Sequence, residues 1–166
     1  MSILRSMQDQ DLAIVRSWRN DPRIRSCFFS QAEISISEHE NWFIKKQQDV
    51  NNYLKVFELD GQAKGFLQLL CIQRKPEIFE WGFYVAPEHL GQGLGKLLVR
   101  SAIEFVFNDL DAKKLIGKVI QGNIVSENIH YAQGFKLEGV LRNECFVYHE
   151  LKNVLYFGLL KNEWRK

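Results

Sequence analysis

The sequence predicts an α/β fold: one domain over residues 1–166, with a mixed central sheet flanked by helices. Three observations carry this. The chain is 46% hydrophobic and 25% charged, enough apolar mass for one core and too much for disorder. Runs with strand-like alternation are interleaved with stretches of helical period. A hairpin signal precedes a strand–helix–strand unit, which combines antiparallel with parallel pairing. No repeat, low-complexity tract or linker divides the chain.

Asp9 or Ser6 can cap a first helix that carries Leu12, Val15 and Trp18 on one face and ends near Asn20-Asp21-Pro22. Ser37-Glu38-His39-Glu40 has the form of a capping box and opens a second helix bearing Trp42, Phe43 and Ile44. Strand-like runs follow at Tyr53 to Leu59 and Gly65 to Ile72, with Asp60-Gly61 as a hairpin signal between them. Ile78 to Val85 reads as a third strand. A glycine-rich turn then leads to a helix in which Leu94, Leu97, Leu98, Ala102, Phe105 and Val106 keep helical spacing to about Asn108. Leu115 to Ile120 is a strand and Val125 to Gln133 a short helix. Three closing strands are expected at Phe135 to Leu141, Cys145 to Glu150 and Val154 to Leu160.

A net charge of +2, with no block of like charges, argues against a nucleic-acid binder driven by bulk charge. The first residues form no apolar export segment and no run reaches the length of a membrane span, so a cytoplasmic protein is expected. Cys27, Cys71 and Cys145 are odd in number and lack metal-ligand spacing. Each is expected as a small buried hydrophobe, and no metal is implied. Twelve Phe, five Tyr and four Trp are many rings for one domain. Phe57, Phe66, Phe79, Phe105 and Phe107 are expected in the core, with Trp18, Trp42, Trp81 and Tyr84 around a cleft.

The chemistry starts at Leu90-Gly91-Gln92-Gly93-Leu94-Gly95-Lys96. Alternate glycines let successive backbone N–H groups converge, and the helix that begins there adds its positive end, so the turn suits a phosphate or pyrophosphate. A Walker A loop would need Gly at position 90 and Ser or Thr at 97, and both are Leu. A Rossmann turn has different spacing and follows the first strand of a sheet. A flexible turn without a ligand is the alternative, weakened by the flanking strand and long helix.

A second segment, Asn123-Ile124-Val125-Ser126-Glu127-Asn128-Ile129-His130-Tyr131-Ala132-Gln133-Gly134-Phe135, follows the next strand. Together the two segments resemble the signature motifs of the GCN5-related N-acetyltransferases (GNAT). The resemblance implies acetyl-CoA as cosubstrate, with its pyrophosphate on the glycine turn and its pantetheine amides along Phe83 to Val85. It also brings Asn123, of the Asn-x-x-Ser pattern completed by Ser126, to the pantetheine arm. The family's usual Gln or Arg at the head of the turn is here Leu90, a loss that backbone donors can absorb. The tyrosine that often protonates the departing thiolate is here His130, with Tyr131 beside it. His130 is favoured as the acid provided its charged form is stabilised, with Tyr131 as the alternative.

Alternation puts Glu80, Gly82 and Tyr84 on one face of their strand, and Phe79, Trp81, Phe83 and Val85 on the other. Glu80 is a candidate general base, against the alternative of a structural ion pair, and Glu77 is a weaker candidate. Trp18-Arg19-Asn20, Arg23, Arg25, Ile36 to His39 and Trp42-Phe43, with the strand Glu80 to Tyr84 and the closing Glu163-Trp164, resemble the pseudaminic acid biosynthesis branch of the family. That branch acetylates the free amine of a UDP-linked 4-amino-4,6-dideoxy sugar. The resemblance implies Arg19, Arg25 and His39 as donors to diphosphate or base, and Trp42 and Tyr84 as walls. Singly, Arg19 can cap a helix end and His39 can be a solvated helix residue. Other acceptors, a protein N-terminus or a small amine, stay open, as does a CoA-binding module without turnover. The C-terminal strands are candidates for pairing in a homodimer.

Overall fold

The computed structural model describes residues 2–164. Seven strands form one sheet in the order β1-β2-β3-β4-β5-β7-β6. In chain order the elements are β1 (Ser2–Ser6), α1 (Leu12–Asn20), α2 (Pro22–Arg25), α3 (Ile36–Gln48), β2 (Asn52–Leu59), β3 (Gln62–Arg74) and β4 (Glu77–Val85). They continue with α4 (Leu94–Glu104), β5 (Lys114–Ile120), α5 (Ile124–Ala132), β6 (Lys136–Val147) and β7 (Glu150–Leu160). Among the described residues, no helix is long and apolar enough to cross a membrane.

The β2–β3 connection is a tight turn at Asp60 (φ 50°) and Gly61 (φ 75°), the left-handed pair that a two-residue hairpin requires. Helix α3 begins two residues earlier than expected: Ser35 caps it and closes a capping box with Glu38, whereas Ser37 lies inside the helix. The first helix is likewise preceded by a 3₁₀ turn at Asp9–Asp11 rather than capped by Asp9 or Ser6. The closing region contains two strands, not three. Asn143 (φ 53°) bulges within a continuous β6, and Tyr148 and His149 (φ 56° and 63°) make the turn.

Period-two alternation sorts the side chains into two layers. On one face Val99, Ala102 and Ile103 of α4 pack with Leu67, Leu69, Phe79, Trp81, Leu115 and Phe157. On the other, Val15 and Trp18 of α1 and Phe43 of α3 pack with Leu54, Val56, Phe66 and Tyr84. Trp81 therefore lies across the sheet from Tyr84 and does not join the acceptor-side rings. Phe57, Phe66, Phe79 and Phe107 are core residues as expected, and Phe105 packs half-buried against the cluster that holds Phe79 and Phe107. Of the cysteines only Cys71 is buried; Cys27 is exposed and Cys145 half-buried, so the expectation for those two is corrected. Cys27 follows the end of the four-residue α2, too short a helix to cover it.

Candidate active site

β4 and β5 are the parallel pair of the sheet, and their pairing runs from Ile78↔Lys114 to Trp81↔Gly117 and stops. β4 remains paired with β3 through Val85, and β5 remains paired with β7 through Ile120. The two strands therefore part beyond Trp81 and Gly117, leaving facing backbone edges at Phe83–Val85 and Lys118–Ile120 that need other partners. Phe83 and Val85, expected to bond pantetheine amides, lie on the β4 edge of this gap.

The glycine turn lies at the open end of this gap. Gly91 (φ 77°) and Gly93 (φ 80°) take the left-handed backbone, and Gly93 caps α4 without help from any side chain. A Cβ at either glycine would meet nothing within 4 Å, so the turn is uncovered on that side. Leu94, Gly95 and Lys96 form the first turn of α4; the Lys96 N–H donates to the Gly93 carbonyl (3.1 Å), and the N–H groups of Leu94 and Gly95 have no intrahelical acceptor. Leu90 is exposed, and Gln92 turns back to donate to the Glu88 carbonyl (2.9 Å). Backbone donors at a helix start, framed by left-handed glycines, fit the pyrophosphate of acetyl-CoA. Asn123 caps α5 by accepting from the Ser126 N–H (3.2 Å).

His130 sits over Gly117, at the vertex where the strands part. Its Nδ1–H donates to the Ser126 carbonyl (2.7 Å), and its Nε2 accepts from the Trp81 indole N–H (3.1 Å). Phe157 stacks on the ring and Phe135 meets it edge-on, both at 5.0 Å. Burial lowers the imidazole pKa, opposed only by the bond to Ser126. The stabilised imidazolium expected for an acid is thus absent: both nitrogens are engaged and the neutral ring is favoured. Tyr131 is half exposed and leans edge-on against Phe157 of β7, one strand beyond the vertex.

Across the sheet Glu80 is partly exposed and paired with Lys118 (2.7 Å). The Lys118 ammonium also lies 5.1 Å from the Tyr156 ring centre. Burial alone would lower its pKa, but Glu80 and Tyr156 outweigh this and raise it. Lys118 and Tyr156 could not be singled out from the sequence, since Lys118 meets Glu80 through the β4–β5 register and Tyr156 meets Lys118 through the β5–β7 register. Gly117 was also missed; a Cβ there would lie 2.1 Å from His130 Nε2.

Most acceptor-side residues named from the sequence converge. A run of rings connects them: Phe28–Tyr84 at 5.7 Å, Tyr84–Phe66 at 5.4 Å, Phe66–Trp42 at 6.0 Å and Trp42–His39 at 5.0 Å. Arg19 lies over Phe28 (4.1 Å) and donates through Nη2 to the Ser30 carbonyl (2.7 Å), so it closes a loop rather than a helix end. Arg19 Nη1 and His39 Nε2 are buried without a hydrogen-bond partner among the described residues. Burial lowers the pKa of both groups. Tyr84 is buried and donates to the Val15 carbonyl (3.3 Å), and burial pushes its pKa up. Arg25 is paired with Glu33 (3.0 Å).

The sequence profile of the acetyltransferase (GNAT) domain family matches residues 2–136. The spermidine N(1)-acetyltransferase of Escherichia coli is 24% identical over 161 residues, covering 97% of this chain and 87% of that protein. The acetyltransferase PseH of Campylobacter jejuni is 29% identical over 118 residues, covering 70% and 71% respectively. The crystal structure of spermidine N-acetyltransferase from Vibrio cholerae in complex with CoA and spermine superposes with a TM-score of 0.92 at 25% identity. It covers 98% of this chain and 96% of that one.

Proposed function

Because this chain belongs to the GNAT family and is an acetyl-CoA-dependent N-acetyltransferase acting on an amine, we propose that its acceptor is the 4-amino group of a UDP-linked 4-amino-4,6-dideoxy sugar. The observation that carries the reading is the pair of buried nitrogens without a hydrogen-bond partner among the described residues, Arg19 Nη1 and His39 Nε2, at opposite ends of one aromatic run. A buried guanidinium nitrogen without an acceptor is costly, and a diphosphate or uracil oxygen would satisfy it. Trp42 and Phe28, both half-buried, supply flat apolar wall for the base and the deoxysugar, while the buried Phe66 and Tyr84 back them from within.

Acetyl-CoA supplies an activated acyl carbon and a thiolate leaving group. The backbone at Phe83–Val85 and Asn123 holds its arm in this scheme, and residues 90–96, including Gln92, Gly95 and Lys96, hold its pyrophosphate. The amine approaches from the α1/α3 face. Glu80, one residue before the strands part on that face, takes the amine proton, and its ion pair with Lys118 holds the carboxylate in place. His130 acts by position: clamped by Ser126 and Trp81, it fixes the floor of the gap. In this scheme Arg25 orients the acceptor loop through Glu33, and Tyr131 is the remaining side chain that can donate to the thiolate.

A second reading, a polyamine acceptor, has the full-length likeness to spermidine acetyltransferases behind it. It needs free carboxylates: Glu33 is paired with Arg25, Glu38 closes the α3 capping box and Glu80 is paired with Lys118, which leaves the exposed Glu40 of α3 without an ion-pair partner among the described residues. The test is thiol release from acetyl-CoA with the UDP-4-amino sugar, spermidine and a peptide α-amine. Turnover is expected with the sugar nucleotide. Arg19→Met should raise its KM about 10-fold or more, for the loss of a charged hydrogen bond, with the KM for acetyl-CoA unchanged. Turnover with spermidine alone would replace this reading with the second.

A further inference from the structure

Lys64 is set apart by an irregularity of the sheet. β2 pairs Phe57 with Gly65 and Glu58 with Ala63, so β3 carries Lys64 as the extra residue of a bulge. A bulge re-aims a side chain that regular alternation would otherwise direct. The Lys64 carbonyl still accepts from the Ala86 N–H (2.8 Å), where β4 has ended and the 3₁₀ turn Pro87–His89 begins. The half-buried Lys64 side chain reaches that turn, and its Nζ lies 2.9 Å from His89 Nε2.

From His89 the contacts run on to the glycine turn. His89 Nδ1 lies 3.1 Å from Gln92 Oε1, and Gln92 Nε2 donates to the Glu88 carbonyl (2.9 Å). The direction of every bond in this chain is decided at its first link. An ammonium carries hydrogens and no acceptor, so His89 Nε2 accepts from Lys64. The proton of the ring then sits on Nδ1 and is donated to Gln92 Oε1. That leaves the Gln92 NH₂ to face a carbonyl, the kind of partner it needs. The opposite tautomer would set an Nε2–H against the ammonium and the Nδ1 lone pair against the Gln92 oxygen. Gln92 stands between Gly91 and Gly93, both left-handed, at a helix start that no side chain caps. Glycine has more backbone freedom to lose than any other residue. Tying the Gln92 amide at both ends supplies the constraint that its neighbours lack, and a turn already in its binding shape loses less entropy when the ligand arrives.

We propose that Lys64 and His89 are positioning residues for acetyl-CoA: Lys64 fixes the His89 tautomer, and His89 holds Gln92 so that the glycine turn is preset for the pyrophosphate. The proposal rests on the placement of the pyrophosphate at residues 90–96 and is independent of which amine accepts the acetyl group.

The test is calorimetric titration of the full chain with CoA and with dephospho-CoA, which needs no acceptor. His89→Leu and Lys64→Met should each raise the Kd about 5- to 10-fold for both ligands. The two residues act through one chain, so Lys64→Met/His89→Leu should bind no more weakly than His89→Leu alone. Lys64→Arg keeps a donor at the imidazole and should bind within about 2-fold of wild type. Nitrogen NMR of the histidine ring should show His89 protonated on Nδ1 in wild type and no longer fixed there in Lys64→Met. Thermal melts should match wild type, since Lys64 and His89 are both partly exposed. Gly93→Glu separates the two assignments. If it leaves CoA affinity unchanged, the pyrophosphate lies elsewhere and both fall; if it weakens CoA and His89→Leu does not, this proposal alone falls. A loss seen with CoA and absent with dephospho-CoA would make Lys64 a contact of the 3′-phosphate. Multiplying losses in the double variant would make the two residues independent. Either result, or an Nε2–H tautomer in wild type, would overturn the proposal.

Discussion

Replacing Gly117 with alanine tests the assignment of the His130–Trp81 pair as the fixed floor of the gap. The new Cβ would stand 2.1 Å from His130 Nε2, 2.7 Å from Cδ2 and 2.8 Å from Trp81 Nε1. Restoring ordinary contact, about 3.5–4.0 Å between atoms, requires the imidazole to retreat by roughly 1.5 Å. Phe157 stacks behind it and Phe135 closes its edge, both at 5.0 Å, so it has no room to do so. Overpacking of this kind costs about 1–3 kcal/mol. Loss of the Trp81–His130 bond adds about 0.5–1.5 kcal/mol. For a chain of this size each kcal/mol lowers the Tm by about 2–4 °C, so a drop of roughly 5–15 °C is expected. Gly82 is the control, because it also lies in a strand but its Cβ would meet nothing within 4 Å. Thermal melts followed by circular dichroism compare the two. A Gly117→Ala variant within about 2 °C of wild type, or one no worse than Gly82→Ala, would refute the reasoning.

Acid should destabilise the protein earlier than its carboxylates alone would. Burial lowers the pKa of His130 and His39 from the ordinary 6.5, so below that value the unfolded chain binds protons that the folded one refuses. Stability is then complete above pH 6.5 and falls by up to about 1.4 kcal/mol per pH unit for each histidine. The urea midpoint should drop between about pH 7.5 and about pH 5.5, and His130→Gln should flatten that drop; equal slopes would show that His130 is not held neutral. Gly93→Glu should raise the KM for acetyl-CoA by roughly 10- to 100-fold, since it strains a left-handed residue and sets a carboxylate beside the pyrophosphate turn. An unchanged KM would remove the pyrophosphate from that turn.

Local chemistry was legible in the sequence wherever one short segment decides the outcome. Asp60-Gly61 announces its own turn, and the spacing of Gly91, Gly93 and Gly95 announces a backbone cradle before a helix. Tyr148-His149 makes the same left-handed turn without glycine or asparagine, so the closing hairpin was divided in the wrong place. β1 was missed because five residues, three of them polar, give no alternation long enough to read, and it is the register with β2 that makes them a strand. The misplacement of Trp81 has a different cause. Alternation along β4 already sets it opposite Tyr84, which is incompatible with a place beside Trp18 and Trp42 around one cleft. Lys118 and Tyr156 depend on a pairing between distant segments, which no local pattern contains.

The two faces of the gap differ in how far the protein satisfies its own polar groups. On the α5 face His130 is closed by Ser126 and Trp81, and what remains to be bonded is backbone: the parted strand edges and the first turn of α4. Such groups fit a ligand that presents amides and phosphates in a fixed order, whatever else the enzyme binds. On the α1/α3 face the groups left over are side chains, Arg19 and His39, buried against rings and short of one partner each. An unsatisfied buried donor costs about 1–3 kcal/mol, and more when charged, a large fraction of the marginal stability of a domain. Arg19 could shed that cost as an apolar residue of similar length. The stability measured for Arg19→Met therefore bears on function: a variant as stable as wild type or more so, yet poorer in acceptor KM, is the signature of a group kept for its ligand rather than for the fold.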